Sequence, residues 1–211
     1  MSAQPSTFPN IPVRDNTFHI PTDAQSMLTG LACDFAVPGT ALYEIGHTLP
    51  ELLPALHDRL DPLVELVSID ESARRLQAAR CAVGREPRPM RFLNSQIDDA
   101  LPIKNASVVI MAGTSRHVHP LHRTPLLASV HQGLQAGGCV LIMEMTRSRE
   151  SLLNNLYALH SRHTGNAAYA TDSIQMASTL DEERERLRRC GFRSTDVFYQ
   201  HYALSGLIAI K

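Results

Sequence analysis

The sequence predicts an α/β protein: a doubly wound, mostly parallel sheet of seven strands that finishes in a C-terminal antiparallel hairpin. Three observations predict it. Apolar runs of strand length alternate with stretches whose apolar residues recur at helical spacing. Residues 107–112 (SVVIMA) form a nearly continuous apolar run, the mark of a central strand covered on both faces. The apolar run at 41–45 leads into Gly46, and the run at 63–69 ends at Asp70, 24 residues after that glycine. That interval is close to the spacing of a βαβ unit of the dinucleotide-binding type.

The elements follow in order. Residues 1–21 carry Pro5, Pro9, Pro12 and Pro21 with little periodicity, so they read as an arm. Thr22 and Asp23 offer an N-cap for a helix over 23–34. Pro38-Gly39 turns the chain into a strand at 41–45. Leu49, Leu52, Leu53 and Leu56 share one face of a helix over 49–59. A second strand spans 63–69, and Asp70-Glu71-Ser72 opens a helix to Val83 with Leu76, Ala79 and Cys81 available to pack. Residues 84–89 are a loop and 90–93 a short third strand. The central strand at 107–112 precedes a helix over 121–135, closed by Gly137-Gly138 as a C-cap. A fifth strand runs over 139–145. Helices follow at 149–163 and 179–189, then two strands at 197–202 and 204–210 joined by a tight turn. The whole reads as one domain, 1–211. Its residues 1–35 form an arm and helix over the site, and 146–180 form a lid or substrate region.

Composition bounds the function. Of 211 residues 44% are hydrophobic, the net charge is −1 and the pI is 6.8. Such a balance offers no field for nucleic acid. Arg184, Arg186, Arg188 and Arg189 alternate with Glu182, Glu183 and Glu185, which reads as a solvated helix face. Cys33, Cys81, Cys139 and Cys190 are widely spaced with no CxxC pair, so they read as reduced, buried thiols. No basic leader and no apolar run of membrane-spanning length is present. The expectation is a soluble, cytoplasmic protein.

Several residues carry candidate chemistry. Gly46 at a strand end lets a ligand approach the backbone, with the next helix presenting free N–H groups; a plain strand-to-helix turn is the alternative. Pro50 stiffens the same turn and is tolerated in a helix's first turn. Asp70 suits both hydroxyls of a ribose, or the N-cap of the following helix. Arg116, His117, His119 and His122 follow the central strand. Pro120 interrupts the histidines and no Cys or carboxylate completes a set, so no metal is expected. A histidine here suits a general base or a polar wall. Tyr157, His160, His163 and Tyr169 suit the wall of an acceptor pocket, where an aromatic face attracts a sulfonium; helix packing is the alternative for Tyr157.

The C-terminal stretches Cys190-Gly191-Phe192, Phe198-Tyr199-Gln200 and Gly206-Leu207-Ile208-Ala209-Ile210-Lys211 resemble the GF…WFQ…GSLVALK ending of the carboxy-S-adenosylmethionine synthase family. That family lies within the class I S-adenosylmethionine (SAM)-dependent methyltransferase superfamily, whose fold is Rossmann-like. Residues 104–109, 133–138 and 37–40 are also similar, and the resemblance covers roughly 30–145 and 180–211. It implies that Gly46, with Glu44 and His47, holds the methionine end of SAM. Asp70 and Glu71 would hold the ribose, Gln96 and Ile97 the adenine, and Ala112 would line the site. It also implies a homodimer. Departures fall at the site. Pro50 stands for the family's second glycine, Gln96 for its adenine-side aspartate and Ala112 for an asparagine. An amide oxygen still accepts from an adenine amino group. The arginine-bearing stretch that members use for the extra carboxylate has no clear counterpart, so carboxy-SAM synthesis and its prephenate donor are not carried over.

The leading expectation is a SAM-binding, methyltransferase-like transferase acting on a small molecule, with His117, His119 and Tyr157 on the acceptor side. One alternative is an intramolecular SAM cyclase or lyase of the azetidine-2-carboxylate synthase type, releasing methylthioadenosine. Another is an inactive scaffold with this fold.

Overall fold

A computed structural model describes residue 18 and residues 20–46, 49–83, 89–98, 100–116, 118–163 and 177–211. The arm before Phe18, with His47, His117 and Tyr169, lies outside the described residues, as does the stretch 164–176 of the expected lid region. The elements are α1 (Thr22–Phe35), β1 (Ala41–Ile45), α2 (Leu52–Arg59), β2 (Glu65–Asp70), α3 (Ala73–Val83), β3 (Met90–Asn94), β4 (Ala106–Ala112), a 3₁₀ turn (Thr114–Arg116), α4 (Pro120–Gly133), β5 (Leu134–Met145), α5 (Ser151–His163), α6 (Leu180–Arg189), β6 (Ser194–His201) and β7 (Leu204–Ile210).

The seven strands form one sheet in the order β3-β2-β1-β4-β5-β7-β6. β3 through β5 are parallel, while β7 runs antiparallel to both β5 and β6. This is the mostly parallel, doubly wound, Rossmann-like sheet with a C-terminal antiparallel pair that the sequence predicts. Strand β4 is buried at every residue, as a central parallel strand covered on both faces must be. Alternate residues serve two cores. Leu42, Leu66, Val108, Ile110 and Leu141 pack under α1, α2, α3 and α5. Tyr43, Ile69, Val109, Met111 and Ile142 pack under α4, α6 and the loop bearing Ile97, Leu101 and Ile103.

Several expectations need correction. Helix α2 begins at Leu52, because the turn at Leu49 is closed by a Leu52 N–H to Leu49 carbonyl bond instead of a helical one. Thr22 lies inside α1, whose N-cap is Pro21 and has no side-chain cap; Asp23 accepts from the N–H of Ala24. Helix α4 stops at Gly133, and Gly137-Gly138 sit inside β5 instead of capping the helix. They shape an irregularity there: Ala106 pairs with Leu134 but Val108 with Cys139. Gly137 takes φ +80°, and a Cβ on Gly138 would lie 2.9 Å from the Ser107 carbonyl, so the extra residues need glycine. Strand β6 starts at Ser194, three residues before the expected 197. The four thiols are free, yet Cys81 is exposed, because it falls on the outer face of α3; only Cys139 is buried. Burial pushes the Cys139 thiol up to about 12.

Helix α6 shows why local sequence suffices for some elements. Thr179 accepts from the Glu182 N–H at 3.2 Å while Glu182 accepts from the Thr179 N–H at 2.7 Å, a complete capping box. Asp181, Glu182 and Glu183 lie in its first turn and Arg186, Arg188 and Arg189 in its last, matching the helix dipole. No helix among the described residues is long and apolar enough to cross a membrane.

Thr179→Ala is expected to cost about 1 kcal/mol at neutral pH, read from urea midpoints. The Thr179 N–H, then the Arg147 and Arg186 cations, hold the Glu182 carboxyl below its ordinary value of 4.5. A group with a depressed folded-state pKa stabilises fully above its unfolded value, and that contribution is lost as pH falls through the folded value. Glu182→Gln should therefore be less stable than the parent at pH 7 and converge on it as the pH drops through that window.

Candidate functional site

The chain order places a topological switch between β1 and β4. From β1 the sheet grows one way through β2 and β3, and from β4 the other way through β5. Ligands of open α/β sheets bind outside the carboxyl ends of the strands at such a point. Gly46, Asp70, Ile97 and Gly113 meet or flank those ends.

Gly46 follows β1 at φ +74°, and its N–H donates to the Ile69 carbonyl at 2.8 Å. A Cβ there would lie 3.2 Å from Ile97 Cδ1 and 3.3 Å from Thr114 Cγ2. The conformation thus calls for glycine, and a Cβ would make Ile97 and Thr114 give by a few tenths of an ångström. Thr114 is itself fixed, donating from Oγ1 to the Ile45 carbonyl at 2.8 Å. Glu44 lies one pleat back, buried within β1, where Ser68 Oγ donates to its Oε2 at 2.6 Å.

Asp70 ends β2 with 0% of its surface exposed. Its Oδ1 accepts from the Ser72 N–H at 2.6 Å, from Arg75 Nε at 3.1 Å and from Arg75 Nη2 at 2.8 Å; its Oδ2 accepts from Arg75 Nε at 3.0 Å. A guanidinium fork thus covers the whole carboxylate. Ser72 Oγ caps α3 by accepting from the Arg75 N–H at 3.3 Å. Glu71 reaches the next strand end, where its Oε1 accepts from the Ile97 N–H at 3.3 Å. Asn94 ties the same corner together, donating from Nδ2 to the carbonyls of Asp70 and Glu71 at 3.0 and 2.8 Å. Gln96 is exposed and Ile97 buried.

At β4, Ala112 is buried and Gly113 follows at φ +64°. Phe18, 1% exposed, lies against Gly113 so closely that a Cβ would stand 2.7 Å from its ring. Phe18 therefore covers Gly113 at this strand end. His119 is exposed and caps α4, its Nδ1 accepting from the Leu121 N–H at 3.4 Å; its ring meets His122 edge-on at 6.0 Å. Among the described residues, no three His, Cys, Asp or Glu side chains are placed to hold a metal.

Tyr157 and His160 on α5 meet the β6–β7 turn. His160 stacks on Tyr202 with ring centroids 3.8 Å apart and planes at 18°, and Tyr157 meets the same ring edge-on at 5.9 Å. His201 meets His160 edge-on at 5.5 Å. Tyr202 holds this position with φ +52°. Because Met145 pairs with Leu204, the cluster lies beyond the carboxyl end of β5. The side chain of His163 lies outside the described residues.

Arg75, Phe18, Gly113, Thr114, His201 and Tyr202 belong to this edge and escape a motif reading. One signal for Arg75 exists. Arg74 and Arg75 sit in the first turn of α3, where the helix dipole disfavours cations, so an arginine there calls for a nearby acid.

No protein-family model matches the chain. Among curated relatives, a carboxy-S-adenosyl-L-methionine synthase of Pseudomonas putida is 32% identical over 199 residues, covering 85% of this chain and 80% of the relative. One from Methylococcus capsulatus is 27% identical over 203 residues, covering 90% and 84%. Among solved structures, human N-acetylserotonin methyltransferase in complex with SAM superposes with a TM-score of 0.64 at 19% identity. That match covers 90% of this chain and 52% of the human protein, and it is a likeness of fold.

Gly46→Ala is expected to destabilise the protein by about 1–2 kcal/mol, the cost of forcing an L-residue into the left-handed region. Urea denaturation measures it, with Gly30→Ala as the control, since a Cβ at Gly30 meets nothing within 4 Å.

Proposed function

The chain belongs to the carboxy-S-adenosyl-L-methionine synthase family, and on that premise we propose that it is a SAM-dependent, methyltransferase-like transferase acting on a small molecule. One observation carries the reading: Gly46 in a left-handed turn and Asp70 at the end of the adjacent strand, flanking the switch point of the sheet. The residues present fit SAM. Gly46 takes a left-handed turn at the carboxyl end of β1, where a backbone without a side chain suits close approach by a ligand. Asp70 is an acid where a diol needs one, and Ile97 offers an N–H and Gln96 an amide to a purine edge.

In this reading Gly46, with Glu44 and His47 beside it, receives the methionine end. Asp70 and Glu71 serve the ribose corner, and Gln96 and Ile97 the adenine. Ala112, buried at the end of β4, is the proposed lining residue there. Bound SAM supplies an electrophilic carbon on a sulfonium. The chain's own work is to align an acceptor with that carbon and exclude water. His117, His119 and Tyr157 are the proposed acceptor-side groups. The Tyr157–Tyr202–His160 cluster supplies a wall of aromatic faces suited to a cation.

Phe18 on Gly113 favours a second reading, because it fills space beside β4 that an acceptor would use. SAM alone would then be the substrate. Its amino nitrogen attacks its own γ-carbon, the γ-carbon–sulfur bond breaks, methylthioadenosine leaves, and the ring nitrogen sheds a proton.

Purified protein with saturating S-adenosylhomocysteine is expected to gain about 2.7 kcal/mol at a hundredfold excess over Kd, seen as a raised melting temperature. Incubation with SAM alone, followed by mass spectrometry, separates the readings: intact retained SAM supports the transferase, and methylthioadenosine supports the cyclase. Absence of any stabilisation by SAM or S-adenosylhomocysteine overturns both and leaves a scaffold.

A further inference from the structure

Two side chains from one short stretch occupy the groups on which the nucleoside reading depends. Arg75 covers both oxygens of Asp70 at 2.8–3.1 Å. Glu71 holds the Ile97 N–H at 3.3 Å. Their chemistry parallels a ribonucleoside. A guanidinium presents two convergent N–H donors to a carboxylate, as a cis-diol presents two O–H donors. A carboxylate oxygen accepts from a backbone N–H, as a purine ring nitrogen does. Nothing from outside reaches the Asp70 carboxylate, 0% exposed, while Arg75 remains on it.

We infer that Glu71 and Arg75 form an internal latch that stands in for the nucleoside of the ligand, so that a diol-bearing nucleoside binds by displacing it. The inference rests on the SAM-binding reading and adds what regulates that site. Both side chains have somewhere to go. Arg75 is already 32% exposed and Glu71 lies at the surface. Each clears its group by a change of side-chain rotamer that leaves the backbone at Ser72 in place. Asp70 keeps the Ser72 N–H bond when Arg75 leaves, so the acid is not stranded during the exchange. The latch selects as well as gates. A ligand without the diol offers Asp70 no pair of donors to replace the fork, and the fork stays shut. The latched fraction lowers the apparent affinity for every diol-bearing nucleoside by the same factor.

Isothermal titration calorimetry with S-adenosylhomocysteine tests this on the parent protein and Arg75→Met. Arg75→Met is expected to bind about tenfold more tightly, because the competing state is gone. Its ligand-free melting temperature should fall, because the buried acid loses its partner. Parental affinity should rise with added salt, which weakens the partly exposed fork, and the variant should lack that rise. If Arg75→Met fails to fold, Arg75→Lys, which keeps the charge but loses the fork, is expected to tighten binding two- to fivefold. Binding by the parent with equal or weaker binding by the arginine variant overturns the latch and leaves the SAM reading intact. Failure of all variants and the parent to bind overturns the SAM reading and the latch together. Binding by Arg75→Met alone supports both.

Discussion

A carboxylate with no surface open to water persists only when its charge is answered at hydrogen-bond distance. Asp70 is that carboxylate, and the carboxyl edge of the sheet is arranged around it. The strand that carries it lies between β1 and β3, so its position is set by the sheet and not by a loop. Ser72 answers it from the backbone and Arg75 from the first turn of α3. Asn94 clasps the same corner from the end of β3. The Glu71 bridge to Ile97 then brings in the loop that roofs Gly46. The chain has built a charged centre whose solvation depends on its own side chains.

The same edge is closed by shape at its other end. Phe18 rests on Gly113, and Thr114 and Ile97 on Gly46. Both glycines have positive φ, so each strand leaves the sheet by a turn that an L-residue resists, and each turn brings backbone under a side chain from a distant part of the chain. Close packing at these two points leaves no gap that a methyl group could enter without displacing a neighbour.

Much of this was legible in the sequence. Strand β4 announces itself because burial on both faces removes the need for polar alternation, and α6 because its capping box and charge gradient are local. Asp70 and Gly46 are legible because a βαβ unit converts a sequence interval into adjacent strand ends. The glycines at 137–138 mislead for a physical reason. Glycine serves a helix end and a strand irregularity equally well, and the choice depends on the Ser107 carbonyl, which no local pattern announces. Arg75 lies five residues from Asp70 yet carries no motif. Phe18 lies 95 positions before Gly113, and Tyr202 meets α5 only because an antiparallel hairpin returns it there. Contacts between separate segments, each ordinary alone, are what sequence patterns omit.

The distribution of thiols has a practical consequence. Cys139 lies inside β5, and burial pushes its thiol up to about 12, so at neutral pH it carries almost no nucleophilic thiolate. Burial also raises the Cys190 thiol, and Cys33 is half-buried. Cys81, exposed on α3, stands apart. It lies on the same helix as Arg75, well away from the Asp70 corner along its axis. A thiol-directed fluorophore or spin label would therefore report on α3 without a designed cysteine, making the native chain its own probe of motion in that helix.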